Sequence, residues 1–269
     1  MTSGSSYPDR PGQGIVSVRN VSKVYPAQNG TSAVVALQAV DLEVSEGEFV
    51  AVVGPSGCGK STLLEIIAGL VPPTTGEVAI AGRPVRGPHP DVGVVFQEDS
   101  AFPWLTVWDN VEFGLKMRGV PAAERRRRVA EMIRLVGLAG FENHLPGQLS
   151  GGMRQRVAIA RTLVLGPRII LMDEPFGALD AQTRLLMGDE LLRLWERLQA
   201  TIIFVTHDIA EAVRLADRVV LMTARPGRIK EVVPVLLPRP RDFESVSALP
   251  EFNLLVGRLW GSLKTEVTR

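Results

Sequence analysis

The chain has 269 residues, and 30 lysines and arginines against 29 aspartates and glutamates give it a net charge of +1. A balance this close to zero argues against a nucleic-acid-binding protein held by bulk electrostatics. The single cysteine, Cys58, excludes an internal disulfide framework and is typical of a reducing compartment. No apolar run approaches the roughly 20 residues of a membrane helix, and residues 1–14 lack the apolar core of a secretory signal. Composition therefore predicts a soluble, intracellular protein without a nucleic-acid partner.

The first predicted elements lead to a strand–loop–helix unit. Residues 1–14 have too few apolar side chains to offset the entropy of ordering, so a flexible tail is expected there. Alternating strands are predicted from Ile15 and again over residues 40–44. Phe49–Val53 is a continuous apolar run, which is typical of a strand buried on both faces. A glycine-rich segment and a helix over residues 61–68 follow it, as at the opening of a βαβ unit.

The middle and the end of the chain predict helices and then more buried strands. Residues 107–163 have mostly helical spacing, and the four arginines at 125–128 are interpreted as a solvated helix face. Three apolar strands then alternate with helices over residues 181–199 and 208–215, with Asp208 and Glu211 spaced as a capping box. The strands are residues 169–172, 202–205 and 219–222. Helical spacing returns after Pro240 and is expected to pack against the core. The chain is therefore an α/β protein, with a parallel sheet covered on both faces and a helical insert.

The glycine-rich segment at residues 54–61, called the phosphate loop below, matches the full pattern G-x-x-x-x-G-K-S/T between strand and helix. Glycines let the backbone approach an anion, and the loop's N–H groups and the helix N-terminus converge on it. Lys60 is expected to reach the β- and γ-phosphates of a nucleotide, and the Ser61 hydroxyl to ligate Mg²⁺. Cys58 is interpreted as a tolerated small residue rather than a catalytic thiol, although the helix dipole would lower its pKa.

Two carboxylates end the apolar strand at residues 169–172. Ligands of parallel sheets gather beyond the carboxyl ends of the strands, which places Asp173 and Glu174 near the phosphates. Asp173 is suited to hold Mg²⁺ through water, and Glu174 to polarise an attacking water. With the phosphate loop, these residues predict a protein that uses or hydrolyses a nucleoside triphosphate, and they leave its kind open.

Residues 149–156 resemble the signature motif of the ABC (ATP-binding cassette) ATPases, and they precede the acidic strand at the family's usual spacing. The other family motifs are also present, in the family's order along the chain. Gln97 resembles the Q-loop glutamine, residues 177–180 the D-loop, and His207 the switch histidine. Tyr25 is placed like the aromatic residue that stacks on adenine. The resemblance covers about residues 15–234.

The resemblance implies a RecA-like P-loop NTPase core with a parallel sheet, an antiparallel β-subdomain on the N-terminal side and a helical subdomain over about residues 98–160. The ATPase domain would span residues 15–235, followed by a helical extension over residues 236–269. The implied catalytic residues are Lys60, Gln97, Glu174 and His207, and the implied Mg²⁺ ligands are Ser61, Gln97 and Asp173. The implied ATP contacts are Tyr25, Gly54, Pro55, Ser56, Gly57, Cys58, Gly59, Lys60, Ser61, Thr62, Ser150, Gly151, Gly152, Gln155 and Asp180.

The resemblance also implies partners. A second copy, or a homologous ATPase subunit, would pack head-to-tail with two ATP molecules between phosphate loop and signature. The region from Gln97 to Val107, with Trp104 in it, would receive a separate membrane permease, because exposed aromatic loops usually mark contact surfaces. A solute-binding protein would act through that permease. Residues 103–107 and 221–229 resemble the importers of nitrate, sulfonate and taurine, and importers of thiamine precursors and other small molecules look similar. The resemblance also implies a place at the cytoplasmic face of the inner membrane.

Three other readings stay open. A soluble ABC ATPase of repair, cluster assembly or translation usually carries a coiled-coil insert, a second cassette or a basic arm, and the sequence has none. A generic P-loop kinase or GTPase would lack the signature at residues 149–155 and His207. An exporter is the third alternative. The cargo itself is not encoded, because in this family the nucleotide-binding chain never contacts it.

Overall fold

The computed structural model describes residues 14–27, 32–97 and 101–267, so the expected tail lies almost wholly outside the described residues. The strands are β1 (Val16–Tyr25), β2 (Val34–Val44), β3 (Phe49–Val53), β4 (Thr75–Ile80), β5 (Arg83–Pro84), β6 (Val92–Val95), β7 (Ile169–Asp173), β8 (Thr201–Thr206), β9 (Arg218–Met222) and β10 (Ile229–Pro234). The helices are α1 (Lys60–Ile67), α2 (Val107–Met117), α3 (Ala122–Leu135), α4 (Gly151–Leu163), α5 (Ala181–Leu198), α6 (Ile209–Leu215), α7 (Phe243–Ser247) and α8 (Pro250–Val267), with a 3-10 turn at Pro146–Gln148.

The larger sheet has six strands in the order β10-β9-β3-β8-β7-β6. Strands β9, β3, β8, β7 and β6 are parallel, and β10 is antiparallel to β9. Every residue of β3 and β8 is buried, as the continuous apolar runs predict. Val53 pairs with Thr206 on one side and with Leu221 on the other, so these strands end level with each other. Their carboxyl ends therefore form one edge, which carries the candidate site.

Alternation along β3 divides the interior into two cores. Phe49, Ala51 and Val53 belong to a core that α2–α6 and α8 cover, whereas Val50 and Val52 belong to a core shared with α1 and the smaller sheet. The predicted parallel sheet with both faces covered is thus confirmed.

The smaller sheet is antiparallel, with the strand order β2-β1-β4-β5. It confirms the antiparallel subdomain. Its first two strands precede the phosphate loop, and its last two follow α1.

Helices α2, α3 and α4 confirm the helical insert, but only two of the four arginines in the run at residues 125–128 form the expected solvated face. Arg125 donates to Glu112 Oε1 at 2.9 Å, and Arg128 Nη2 donates to the carbonyl of Val164 at 2.6 Å. The two arginines between them are exposed. Positions i and i+3 share one face of a helix, so the outer pair ties the three helices together instead of facing solvent.

The predicted capping box on α6 is only half formed. Asp208 Oδ1 accepts from the Glu211 N–H at 3.1 Å. The Asp208 N–H, however, donates to Thr206 Oγ1 at 3.0 Å, and the Glu211 carboxylate accepts from the same hydroxyl at 2.6 Å. The Glu211 side chain is therefore turned inward, towards the end of β8.

At the end of the chain, α8 inserts Phe252, Leu259 and Leu263 into the core, as its helical spacing predicts. The boundary at residue 235 between ATPase domain and extension stays a prediction. Among the residues that the structure describes, no helix combines the length and apolarity of a membrane span.

Candidate active site

The phosphate loop joins the end of β3 to the first turn of α1, and its glycines are needed for its shape. Gly57 has φ 72° and Gly59, at the start of α1, has φ 102°, a region that favours glycine. A Cβ at Gly59 would also lie 2.7 Å from Leu37 Cδ2 and 2.8 Å from the Ala36 carbonyl of β2. The loop is thus held against the smaller sheet by close backbone contact.

Lys60 is folded back onto this loop. Its side chain is buried, and its ammonium donates to the carbonyls of Gly54 at 2.9 Å and Pro55 at 3.1 Å. A phosphate would offer the same donors charged oxygens, which make stronger hydrogen bonds than carbonyls do. Ser61, on the next residue of α1, is exposed, and Thr62 is half-buried.

The structure corrects the expected pKa of Cys58. The thiol is 1% exposed, and this burial raises its pKa in spite of nearby Lys60 and Arg225. A buried thiol of raised pKa is unreactive, which supports its interpretation as a small packing residue.

Asp173 lies at the end of β7 and faces α1. Its carboxylate accepts a hydrogen bond from the Ser61 hydroxyl, and burial raises its pKa. Its Oδ1 is buried without a hydrogen-bond partner. A hydroxyl beside an unpartnered carboxylate oxygen fits Mg²⁺, which prefers oxygen ligands. These two residues therefore fit the implied metal.

Glu174 follows Asp173 directly and is hydrogen-bonded to another expected catalytic residue, His207. Its Oε2 lies 3.0 Å from Nδ1 of His207. Its φ is 42°, a left-handed conformation that costs a non-glycine residue on the order of 1 kcal/mol. The Glu174 N–H donates to the Val205 carbonyl at 2.9 Å, which stabilises this conformation. Such strain is typical of functional positions, and the sequence pattern gave no sign of it.

Glu174 and His207 also line a cavity of about 10 Å³, together with Arg184 and Glu211 among others. Arg184 Nε and Glu211 Oε1 are buried without partners, and burial raises the pKa of Glu211. The space is about that of one water molecule, and the residues that carry these two unpartnered groups both line it. The sequence did not predict this cavity, because the spacing of Asp208 and Glu211 predicts a capping box, in which the Glu211 side chain would bond to the Asp208 N–H instead of turning inward.

Two further expected site residues, Gln97 and Tyr25, lie at the periphery of the site. Gln97 is exposed, two residues beyond β6, and β6 neighbours β7, so Gln97 shares the sheet edge with Asp173. Tyr25 ends β1 opposite Val34 and is 37% exposed. Farther along β2, Leu37 contacts the phosphate loop.

The signature residues form the start of α4 in the helical insert. Ser150 is exposed, and its hydroxyl accepts from the Met153 N–H at 3.3 Å as the helix N-cap. Cβ atoms at Gly151 and Gly152 would meet Leu179 and Thr183, so the signature packs beside the D-loop of its own chain.

Of the expected ATP contacts, Asp180 has a structural role within this chain and Gln155 is buried. Asp180 caps α5 by accepting from the Thr183 N–H at 2.9 Å and hydroxyl at 2.7 Å, and the backbone bond lowers its pKa. Gln155 is 5% exposed, with its Nε2 unpartnered. A contact between Gln155 and ATP, as expected from the sequence, would therefore require this buried side chain to turn outward.

Comparisons with known proteins agree with this geometry. The family model described as ABC transporter matches residues 37–177. An uncharacterized ABC transporter ATP-binding protein of Methanocaldococcus jannaschii is 53% identical over 253 residues, which are 93% of this chain and 94% of that protein. A nitrate import ATP-binding protein of Synechocystis sp. is 48% identical over 83% of each chain. A bicarbonate transport ATP-binding protein of Synechocystis sp. is 47% identical over 89% of this chain and 36% of its own length.

A solved dimeric structure of an ATP-binding cassette, in a post-hydrolysis state with ADP and Pi, has a TM-score of 0.72 to this fold. It is 39% identical and matches 82% of this chain and 98% of its own. Family model, relatives and fold therefore agree with the motifs. The chain belongs to the ABC transporter family, as one of its ATP-binding and ATP-hydrolysing subunits.

Proposed function

We propose that the protein is the ATPase subunit of an importer, which hydrolyses Mg²⁺–ATP as a head-to-tail dimer and drives uptake of a small solute through a separate permease. The observation that carries the proposal is the hydrogen bond between Glu174 and His207, at the sheet edge that also holds the phosphate loop. The adjacent Ser61–Asp173 pair supports the metal.

In the proposed nucleotide complex, Lys60 exchanges its two carbonyl partners for the β- and γ-phosphates, and the loop N–H groups surround the β-phosphate. Tyr25 stacks on the adenine. Ser61, Asp173 and Gln97 hold Mg²⁺, directly or through water. When bound, the metal neutralises charge that develops on the phosphates.

For hydrolysis, Glu174 accepts the proton of a water that attacks the γ-phosphate, the bond from that phosphorus to the bridging oxygen breaks, and ADP leaves. General-base assistance of this kind contributes about 10²- to 10⁴-fold to the rate. The 3.0 Å bond to His207 fixes the direction of the carboxylate. His207 is more exposed than Glu174, at 54% against 20% of the side chain, so it can also reach the γ-phosphate.

The second chain completes each site in this proposal. The exposed Ser150 hydroxyl, which caps α4, and the N-terminus of that helix form an anion site, and the neighbouring Gly151 lies beside Leu179 of the D-loop. They are therefore available to the γ-phosphate on another chain. The dimeric state of the similar solved cassette supports this arrangement.

The proposed permease surface is the loop before α2, of which residues 98–100 lie outside the described part of the chain. Trp104 is 72% exposed and stacks on Phe102 at 5.5 Å. The guanidinium of Arg161 lies over the Phe102 ring, with its Cζ 4.2 Å from the ring centroid. A supported, exposed indole of this kind is typical of a contact surface.

The proposed cargo is a small solute such as nitrate, a sulfonate or taurine, delivered by a solute-binding protein. The names of the nitrate and bicarbonate relatives support an anion of this size. The subunit would then lie at the cytoplasmic face of the inner membrane, held there by its permease.

The test is uptake into vesicles that carry a membrane permease co-purified with this subunit, with ATP and the subunit on the cytoplasmic side and the solute-binding protein on the other. Nitrate, bicarbonate and taurine are offered separately, and the Glu174→Gln subunit is the control. ATP-dependent uptake that this variant lacks supports the proposal. ATP hydrolysis without uptake of any solute, or with efflux, would contradict an importer.

A further inference from the structure

The segment between β9 and β10, residues 223–228, lies against the phosphate loop and is called the brace loop here. A Cβ at Gly227 would lie 2.0 Å from the Cys58 carbonyl oxygen, so the backbones approach as closely as glycine permits. The Gly227 N–H donates to the Ala36 carbonyl of β2 at 3.0 Å. The brace loop is thus fixed between the smaller sheet and the phosphate loop.

Arg225 makes the direct contact. Its Nε and Nη2 donate to the same carbonyl oxygen, that of Gly57, at 3.1 and 3.0 Å. Carbonyl and N–H of a trans peptide point in opposite directions, so this hold also directs the N–H of Cys58. That N–H lies 3.3 Å from the Pro55 carbonyl, within the loop, where N–H groups of the motif meet phosphate.

The C-terminal helix holds the other side of the brace loop. Oε2 of Glu266, near the end of α8, accepts from the Ala224 N–H at 3.2 Å. Its Oε1 pairs with Lys230 Nζ at 2.6 Å, and the same ammonium donates to the Ser262 carbonyl at 2.9 Å. Two hydrogen-bonded contacts, one from α8 to Ala224 and one from the adjacent Arg225 to Gly57, therefore connect α8 to the phosphate loop.

We propose that Arg225 is a positioning residue for ATP binding, which holds the phosphate loop in its receptive shape and links it to α8. The proposal rests on the proposed role of the phosphate loop in binding ATP. Arg225 also places a guanidinium charge beside the loop, which favours the bound anion. Loss of both effects should weaken ATP binding about tenfold, as expected for charge-assisted hydrogen bonds.

The experiment compares Arg225→Gln and Arg225→Lys with Arg228→Gln, a control in the same loop. Arg228 Nε donates to Gln38 Oε1 at 3.2 Å, on the side of β2. We expect Arg225→Gln to raise the Kd of a fluorescent ATP analogue and the KM for ATP about tenfold, with kcat within about twofold. Arg225→Lys should be intermediate, and Arg228→Gln should match the wild type. Thermal unfolding should be the same in all of them.

A second variant, Glu266→Gln, tests the link to α8. It keeps an acceptor for the Ala224 N–H but loses the ion pair with Lys230, so a smaller rise of KM, about twofold, is expected. Unchanged KM in Arg225→Gln, or an equal rise in Arg228→Gln, would overturn the proposal. So would a fall in kcat alone. Failure of the wild type to bind the analogue would instead overturn the proposed function.

Discussion

The edge of the parallel sheet and the helical insert differ in what holds their functional side chains. At the sheet edge, Asp173, Glu174 and His207 follow strands whose residues are almost all buried, and hydrogen bonds to neighbouring elements fix them. In the insert, Trp104 stands 72% exposed. Its ring contact is with another residue of its own loop, Phe102.

This difference separates two kinds of function. Groups that must meet a transition state within tenths of an ångström are supported by rigid strands. A group that must meet another chain stands free of its own core. Substitutions at the sheet edge should therefore change the rate of ATP hydrolysis. Those in the exposed loop should leave this rate unchanged and reduce solute uptake.

The largest expected effect is that of Glu174→Gln at the sheet edge. The amide cannot take a proton, so kcat should fall about 10²- to 10⁴-fold, while the phosphate contacts and ATP affinity remain. Phosphate release and binding of an ATP analogue measure the two separately. Glu190→Gln, a change of the same kind on α5, is the control. A normal rate in Glu174→Gln would mean that the base is another group.

Lys60→Ala should have the next largest effect, on binding. Removal of a buried ammonium that is directed into the loop should raise the Kd for ATP about tenfold to a hundredfold. The exposed Lys116 on α2 provides the matched control, Lys116→Ala, with unchanged affinity. An equal change in both variants would show that net charge, not the site, sets the affinity.

Trp104→Glu tests the insert. A charge in the proposed permease surface should reduce solute uptake about tenfold or more, and leave ATP hydrolysis of the isolated subunit within about twofold. Trp260→Glu, at an indole that is 59% exposed on α8, controls for loss of surface tryptophan. Unchanged uptake in the first variant would refute the assigned surface and with it the comparison between the regions.

The smallest effect concerns stability at the sheet edge. Burial raises the pKa of Glu211 above its ordinary value of 4.5, so the folded protein binds the proton more tightly than the unfolded chain. The free energy of unfolding then falls as pH rises from 4.5 through the folded pKa, and stays lower above it. Glu211→Gln removes this loss of stability, because an amide does not ionise.

The Tm of Glu211→Gln should therefore exceed that of the wild type at pH 8, by about 2 °C per kcal/mol at this length, and match it below pH 4.5. Glu131→Gln, at an exposed carboxylate, is the control without such a difference. A lower Tm for Glu211→Gln at pH 8 would show that the charged carboxylate stabilises the fold through its arginine neighbours.

Features set by a few adjacent residues could be predicted from the sequence. The phosphate loop and the buried strands follow from local spacing, and the rule for carboxyl ends brought Asp173 to the phosphate site. Features that depend on strand order could not be predicted. Arg225 reaches Gly57 because β9 neighbours β3 in the sheet, and the raised pKa of Cys58 depends on packing around the loop.

In the proposed dimer, ATP is held between the phosphate loop of one chain and the signature of another. Its most direct test is the mass in solution of Glu174→Gln, measured by light scattering with and without ATP. We predict a dimer with ATP and a monomer without it, and a monomer in both cases when Ser150→Glu is added, because its charge would repel the γ-phosphate. A monomeric Glu174→Gln protein that binds ATP would contradict the account.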